Sequence, residues 1–203
     1  MNIQRIPVGV YAANCYIVID EETKDAIVVD PGSEYAVIKD EIKKLGANIK
    51  YIFVTHGHID HTGAVAELRE FLNVPVCLNE KDEKLIMNGG YMFGTPENCG
   101  KADIQIEEGD MFTIGNMKLK CIETPGHTLG GMCFIIDNVV FTGDTLFSGS
   151  IGRTDFEGGS FESIIDSIKR KLLVLPQDTI VLPGHGDHTT IKNEKVYNPF
   201  LSF

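Results

Sequence analysis

Three of the six histidines in this 203-residue chain fall within the stretch Val54-Thr55-His56-Gly57-His58-Ile59-Asp60-His61. Imidazole nitrogens crowded with a carboxylate form the borderline donor set that suits Zn²⁺, Fe²⁺ or Mn²⁺. The alternative is a polar surface loop. A loop that meets only water does not ordinarily follow a strand as apolar as Tyr51-Ile52-Phe53-Val54. His56 and His58 stand two positions apart, not four, so extended or loop backbone must present them rather than one face of a helix. Asp60 and His61 then fall at the mouth of a helix whose apolar residues Val65, Leu68, Phe71 and Leu72 follow helical spacing. Asp60 taken alone could serve as its N-cap. Four donors exceed what one metal with an open position accepts, so either some are structural or two metals are bound.

A second pattern points to the same chemistry. An apolar strand, then glycine, then one potential ligand occurs at Thr124-Pro125-Gly126-His127, at strand 139–142 followed by Gly143-Asp144, and at Thr179-Ile180-Val181-Leu182 followed by Pro183-Gly184-His185. Strands that end in donors along one edge of layered sheets bring those donors together. Each histidine alone would read as a satisfied polar residue after a turn; one shared site accounts for all of them at once. His188, after Gly186-Asp187, reads as a solvated histidine. Asp30, before Pro31-Gly32, either orients a ligand histidine or simply forms a turn.

The elements that must position these residues alternate. Residues 2–30 carry three strand-like runs, and a helix is expected over 33–45 with Ser33 as N-cap, Tyr35, Ile38, Ile42 and Leu45 on one face, and Gly46 as its stop. Strand 49–54, helix 62–72 and strand 74–78 follow, then a short helix over 79–87 capped by Asn79. The glycine-rich loop 88–96 carries Tyr91, Met92 and Phe93, and reads either as a flap over a substrate or as a surface loop pinned by its own side chains. Strands are expected over 104–123, 131–136, 139–142 and 179–182, with a helix at 161–173.

Hydrophobic content of 43% over 203 residues supports a sizeable core, and no linker or charge block divides the chain, so 1–203 reads as a single domain. The net charge of −11 argues against nucleic acid as a partner, which needs clustered Lys and Arg. Cys15, Cys77, Cys99, Cys121 and Cys133 form no C-x-x-C pair, which excludes a cysteine zinc cage and fits free thiols in a reducing compartment. Met-Asn-Ile-Gln-Arg-Ile-Pro-Val lacks a basic region leading into an apolar one, and no apolar run nears the ~18 residues of a spanning helix. A cytoplasmic protein with no membrane partner is expected.

In their order along the chain, His56, His58, Asp60, His61, His127, Asp144 and His185 resemble the metallo-β-lactamase-fold hydrolases, and the likeness spans nearly the whole chain. It implies an α/β (α+β) αββα four-layer sandwich and two divalent metal ions, zinc foremost with iron or manganese as alternatives. It further implies that His56, His58 and His127 hold the first metal, that Asp60, His61 and His185 hold the second, and that Asp144 bridges them. Asp60 is also the residue expected to take part in catalysis.

Within that superfamily, Gly143-Asp144-Thr145-Leu146-Phe147 and Gly149-Ser150-Ile151-Gly152-Arg153-Thr154-Asp155 resemble the glyoxalase II (hydroxyacylglutathione hydrolase) branch, short bacterial type. Longer members continue into a helical domain that contacts glutathione; this sequence stops at Phe203. Arg153 reads as a guanidinium fork for a substrate carboxylate, or as half of a salt bridge holding the 146–160 loop.

The expected activity is hydrolysis of a small-molecule hydroxyacyl thioester, such as S-lactoylglutathione, by a metal-bridging hydroxide. A thiolate leaves with little help from a general acid, whereas the amine of a lactam needs one. The competing expectation is a persulfide dioxygenase of the same fold, with one iron on His56, His127 and Asp144. A metal-stabilised binding protein is a third class, disfavoured because so many buried donors are not needed to hold a fold with an ample core.

Overall fold

A strand buried at every position must be covered on both faces, and β2 (Ala13–Ile19) is such a strand. In a computed structural model of the chain, which describes residues 1–90 and 92–201, it pairs antiparallel with β1 (Asn2–Val8) and β3 (Asp25–Val29). Three parallel strands extend the sheet beyond β3, namely β4 (Asn48–Phe53), β5 (Val76–Leu78) and β6 (Ile104–Gln105), giving the order β1-β2-β3-β4-β5-β6. A second sheet contains β7 (Met111–Ile114), β8 (Met117–Glu123), β9 (Met132–Ile136), β10 (Val139–Gly143), β13 (Ile180–Pro183) and β14 (Thr189–Thr190), in the order β14-β13-β10-β9-β8-β7. A small hairpin, β11 (Leu146–Phe147) with β12 (Ser150–Ile151), stands apart.

Strand periodicity assigns the layers. In β2, Cys15, Ile17 and Ile19 face outward and are covered by Ile38 and Ile42 of α1 (Tyr35–Leu45), Val65 and Leu68 of α3 (Val65–Leu72) and Ile86 of α4 (Glu80–Met87). Tyr16 and Val18 face the second sheet, where Phe53 meets Phe134 and Tyr16 meets Phe141 edge-on. On that sheet's far side Ile122, Cys133, Val140 and Val181 pack under Ile164 of α5 (Phe161–Ser167), Ile168 and Leu172 of the π-helix that continues it (Ile168–Leu172), and Ile191 of α6 (Ile191–Tyr197). The result is the four-layer αββα sandwich. Among the described residues no helix is long and apolar enough to cross a membrane.

Strand direction explains why one edge collects the donors. β10 and β13 are parallel, and β8 is antiparallel to β9, which is antiparallel to β10. The C-terminal ends of β8, β10 and β13 therefore share an edge, and His127, Asp144 and His185 follow those ends. In the first sheet, parallel β3 and β4 deliver Asp30 and His56 together. The two edges are tied by the Asn14 N–H to the Gly184 carbonyl at 2.7 Å and the Met132 N–H to the Thr55 carbonyl at 2.8 Å.

Several expectations need correction. Ser33 is not the N-cap of α1; Glu34 holds that position in a left-handed conformation with no side-chain cap. Helix 62–72 is two pieces, α2 (Ile59–Thr62) and α3, because the Ala64 N–H turns to the Pro31 carbonyl and the carbonyl of Gly32 presses against Gly63. His58, not Asp60, is the N-cap of α2. The loop 88–96 is pinned: Phe93 is buried, the Ile59 N–H donates to the Met92 carbonyl at 2.9 Å, and the Gly94 N–H donates to the Gly57 carbonyl at 2.8 Å. Tyr91 lies outside the described residues.

Candidate metal centre

Each donor found in the sequence lies at the shared edge, and hydrogen bonds behind the rings decide which atom each presents. Asp30 is buried at the end of β3; its Oδ1 accepts the Thr55 N–H at 2.7 Å, and its Oδ2 accepts the Thr55 hydroxyl at 2.6 Å and His61 Nδ1–H at 3.0 Å. Having given its proton to Asp30, the Thr55 oxygen accepts from His56 Nδ1–H at 3.1 Å. His127 Nδ1–H donates to the Arg153 carbonyl at 2.7 Å, and His185 Nδ1–H to the Tyr11 carbonyl at 3.1 Å. These partners occupy Nδ1 of four imidazoles and turn Nε2 of each towards the cluster, as a lone pair wherever a cation displaces its proton.

Those nitrogens converge. His58 Nδ1 lies 2.9 Å from His127 Nε2, and His61 Nε2 lies 3.3 Å from His185 Nε2. Asp60 Oδ2 is 3.2 Å from His185 Nε2 and 3.7 Å from His61 Nε2. The Asp144 carboxylate stands between the groups, 3.4 Å from His61 Nε2, 3.5 Å from His127 Nε2 and 3.6 Å from His185 Nε2. Three sets have donor atoms within 4.8 Å of one another: His56 with His58 and His127; His56 with His61 and Asp144; Asp60 with His61 and His185. Two nitrogens bound to one tetrahedral zinc sit roughly 3.3 Å apart, so the spacing suits a shared cation.

Three features test the fit to metal. Among the described residues the buried atoms His56 Nε2, His58 Nε2 and Asp144 Oδ1 have no hydrogen-bond partner; a cation would relieve that cost for His56 Nε2 and Asp144 Oδ1, while His58 turns its Nδ1 to the cluster. Gly184 forms part of the cradle, since a Cβ there would fall on Asp144 Oδ1 and crowd His61 Cε1. Protonation also divides the groups. Burial, then the neighbouring imidazoles, holds His56 well below the ordinary histidine range and brings His58 down to about 3. Both are therefore neutral, as ligation requires. Burial also works against charge on His61, but Asp144 and Asp30 outweigh it and raise its pKa to about 10. Burial disfavours ionised Asp60, yet the His185 hydrogen bond and the His61 charge prevail and keep it well below the carboxylate range. The Asp60–His61–His185 group thus attracts positive charge, as a proton or as a cation.

Arg153 reaches the rim differently from a free fork. Its guanidinium pairs with both oxygens of Asp155 at 2.7 Å and lies 3.8 Å from the Phe156 ring centre, and Phe156 in turn meets the His58 ring edge-on at 5.6 Å. His188 is exposed and belongs to none of the three donor sets. Sequence reasoning did not find Thr55, nor the carbonyls of Tyr11 and Arg153, because a backbone oxygen is common to every residue and leaves no signature.

A family model described as the Metallo-beta-lactamase superfamily matches residues 8–185. The hydroxyacylglutathione hydrolase GloC of Haemophilus influenzae is 40% identical over 210 residues, covering 100% of this chain and 99% of its own. Among solved structures, the BLEG-1 B3 metallo-beta-lactamase is 34% identical, with a TM-score of 0.91 and full coverage of both chains. TTHA1623, in a di-iron-bound form, is 35% identical with a TM-score of 0.87, over 98% of this chain and 100% of its own.

Proposed function

The chain belongs to the metallo-β-lactamase superfamily, and from that we propose that it is a binuclear metal-dependent hydrolase of small hydroxyacyl thioesters of the S-lactoylglutathione type. The observation that carries the reading is the completeness of the second donor group. Asp60, His61 and His185 converge as fully as His56, His58 and His127, and Asp144 touches both. A persulfide dioxygenase with one iron on His56, His127 and Asp144 would leave that second group without a chemical task. The identity with GloC over its full length supports the thioester class, and the di-iron form of TTHA1623 supports two cations.

In this reading His56 Nε2, His58 Nδ1 and His127 Nε2 would hold the first cation, Asp60, His61 Nε2 and His185 Nε2 would hold the second, and Asp144 would serve both. Zinc is the first choice, with iron and manganese compatible with the same donors. Divalent cations there would supply a water acidified towards neutrality and a Lewis acid for the carbonyl oxygen. The chain's own residues do the rest. Asp30 and the carbonyls of Tyr11 and Arg153 hold the imidazoles in register. Asp60, which despite burial is kept ionised by the His185 hydrogen bond and the His61 charge, directs Oδ2 at His185 and would help hold the second cation there. A thiolate is a good enough leaving group to depart without a proton, so the chain need supply no general acid. Arg153, already seated on Phe156, is placed to exchange Asp155 for a substrate carboxylate at the rim.

Purified protein should release thiol from S-lactoylglutathione, with little opening of a β-lactam ring and no oxygen uptake with a glutathione persulfide. Efficient lactam turnover would move it to the activity named for BLEG-1, and oxygen uptake would replace hydrolysis by oxidation.

A further inference from the structure

One buried carboxylate next to the cluster has no part in the account above. Asp82 stands in the first turn of α4 with 0% exposure. The helix begins because Asn79 caps it, accepting the Lys81 N–H at 3.0 Å. An acid three positions after a cap commonly reaches back to the cap's own N–H. Asp82 instead turns away and accepts from two loops. Its Oδ2 takes the Gly57 N–H at 2.8 Å and the Thr128 hydroxyl at 2.7 Å, and its Oδ1 takes the Gly130 N–H at 2.6 Å. Gly57 lies between His56 and His58, and Thr128 follows His127 directly. One carboxylate is therefore bonded to both loops that bring three imidazoles to one point.

The surroundings are shaped for this contact. A Cβ on Gly130 would come within 2.7 Å of Asp82 Oδ1 and 2.8 Å of its backbone nitrogen. A Cβ on Gly57 would come within 2.9 Å of the Phe93 ring and 3.3 Å of Asp82 Cβ. Both glycines permit an approach that a side chain would block. Every group facing the carboxylate is a donor, and an amide could accept through only one of its two positions.

We propose that Asp82 is a positioning residue: it clamps the 56–58 loop to the 127–130 loop and thereby sets the spacing, and so the affinity, of the His56–His58–His127 cation site. The inference rests on the binuclear reading for there being a cation to bind, and it concerns the first site only. Replacing Asp82 by Asn removes at least one of the three acceptor contacts and turns an N–H₂ towards a donor.

The test is chelator competition on cobalt-loaded protein, followed by the d–d absorption, with elemental analysis of the metal that remains. In the wild type two equivalents should leave in separable steps. Asp82→Asn should weaken one step by roughly 10–100-fold, as the loss of an outer contact to a metal site does, and leave the other within about threefold. Thr128→Val, which deletes one contact and keeps the carboxylate, should weaken the same step by less. Added to His58→Ala, Asp82→Asn should cause little further loss, since the site it serves is already damaged. Equal weakening of both steps, or no weakening in either variant, overturns the proposal. A wild type that binds no cobalt overturns instead the binuclear reading beneath it.

Discussion

Asp30 is the residue that orients the cluster's imidazoles from behind. Its Oδ2 serves the Thr55 hydroxyl and His61 at once, so it fixes the His61 tautomer directly and that of His56 through Thr55. Asp30→Asn should lower metal affinity by roughly 10–100-fold in a chelator titration while the fold, followed by circular dichroism, is retained. Unchanged affinity would mean the imidazoles are oriented by packing alone. The metal-free protein should also show an identifiable pH profile. His58 has a folded pKa of about 3 against an ordinary value of 6.5, so on acidification the unfolded chain takes the proton first and stability falls across that window. His61 has the opposite sign: raised to about 10, its contribution is whole below 6.5 and is lost as the pH climbs towards 10. The urea midpoint of chelated protein should therefore peak near pH 6.5 and decline on both sides; a steady climb from pH 5 to 9 would contradict this. The seven donors were readable because imidazole and carboxylate are scarce and their spacing is informative. Asp82 was not, since an acid in the first turn of a helix is ordinary and nothing local says where it points.

At the scale of elements, the main strands and helices follow from periodicity, and the departures follow from tertiary contact. Helix 62–72 broke because the loop after Asp30 takes over the Ala64 N–H, which no local pattern announces. The hairpin β11–β12 and the strand β14 were missed because two-residue strands carry no alternation to read. They are held by long-range bonds, such as Glu194 accepting the Gly149 N–H at 2.9 Å and the Thr189 hydroxyl at 2.7 Å. The strand-glycine-donor pattern was legible, and Gly184 gives its reason: the chain leaving β13 must pass against Asp144 and His61 with no side chain between. Gly184→Ala should reduce bound metal to below about half of the wild-type content and leave the secondary structure intact, since the added methyl strikes the donors and not the core. Full metal content in that variant would show that the cradle has room the structure does not suggest.

For the whole molecule, two sheets with parity-matched strands and helices on both outer faces turn seven residues spread from His56 to His185 into one polar edge on an apolar sandwich. The apolar core clusters include none of the donors, so cations held there would serve chemistry more than folding. In the proposed reading the cations would offset the −11 charge of the chain locally, which would keep an anionic thioester acceptable to an acidic protein. The central claim is that these donors form a single two-cation site, and it is tested most directly by elemental analysis of metal per chain. The account predicts two equivalents in the wild type, falling to about one when Asp60 and His185 are both replaced by alanine. One equivalent in the wild type that survives that double replacement unchanged would contradict it.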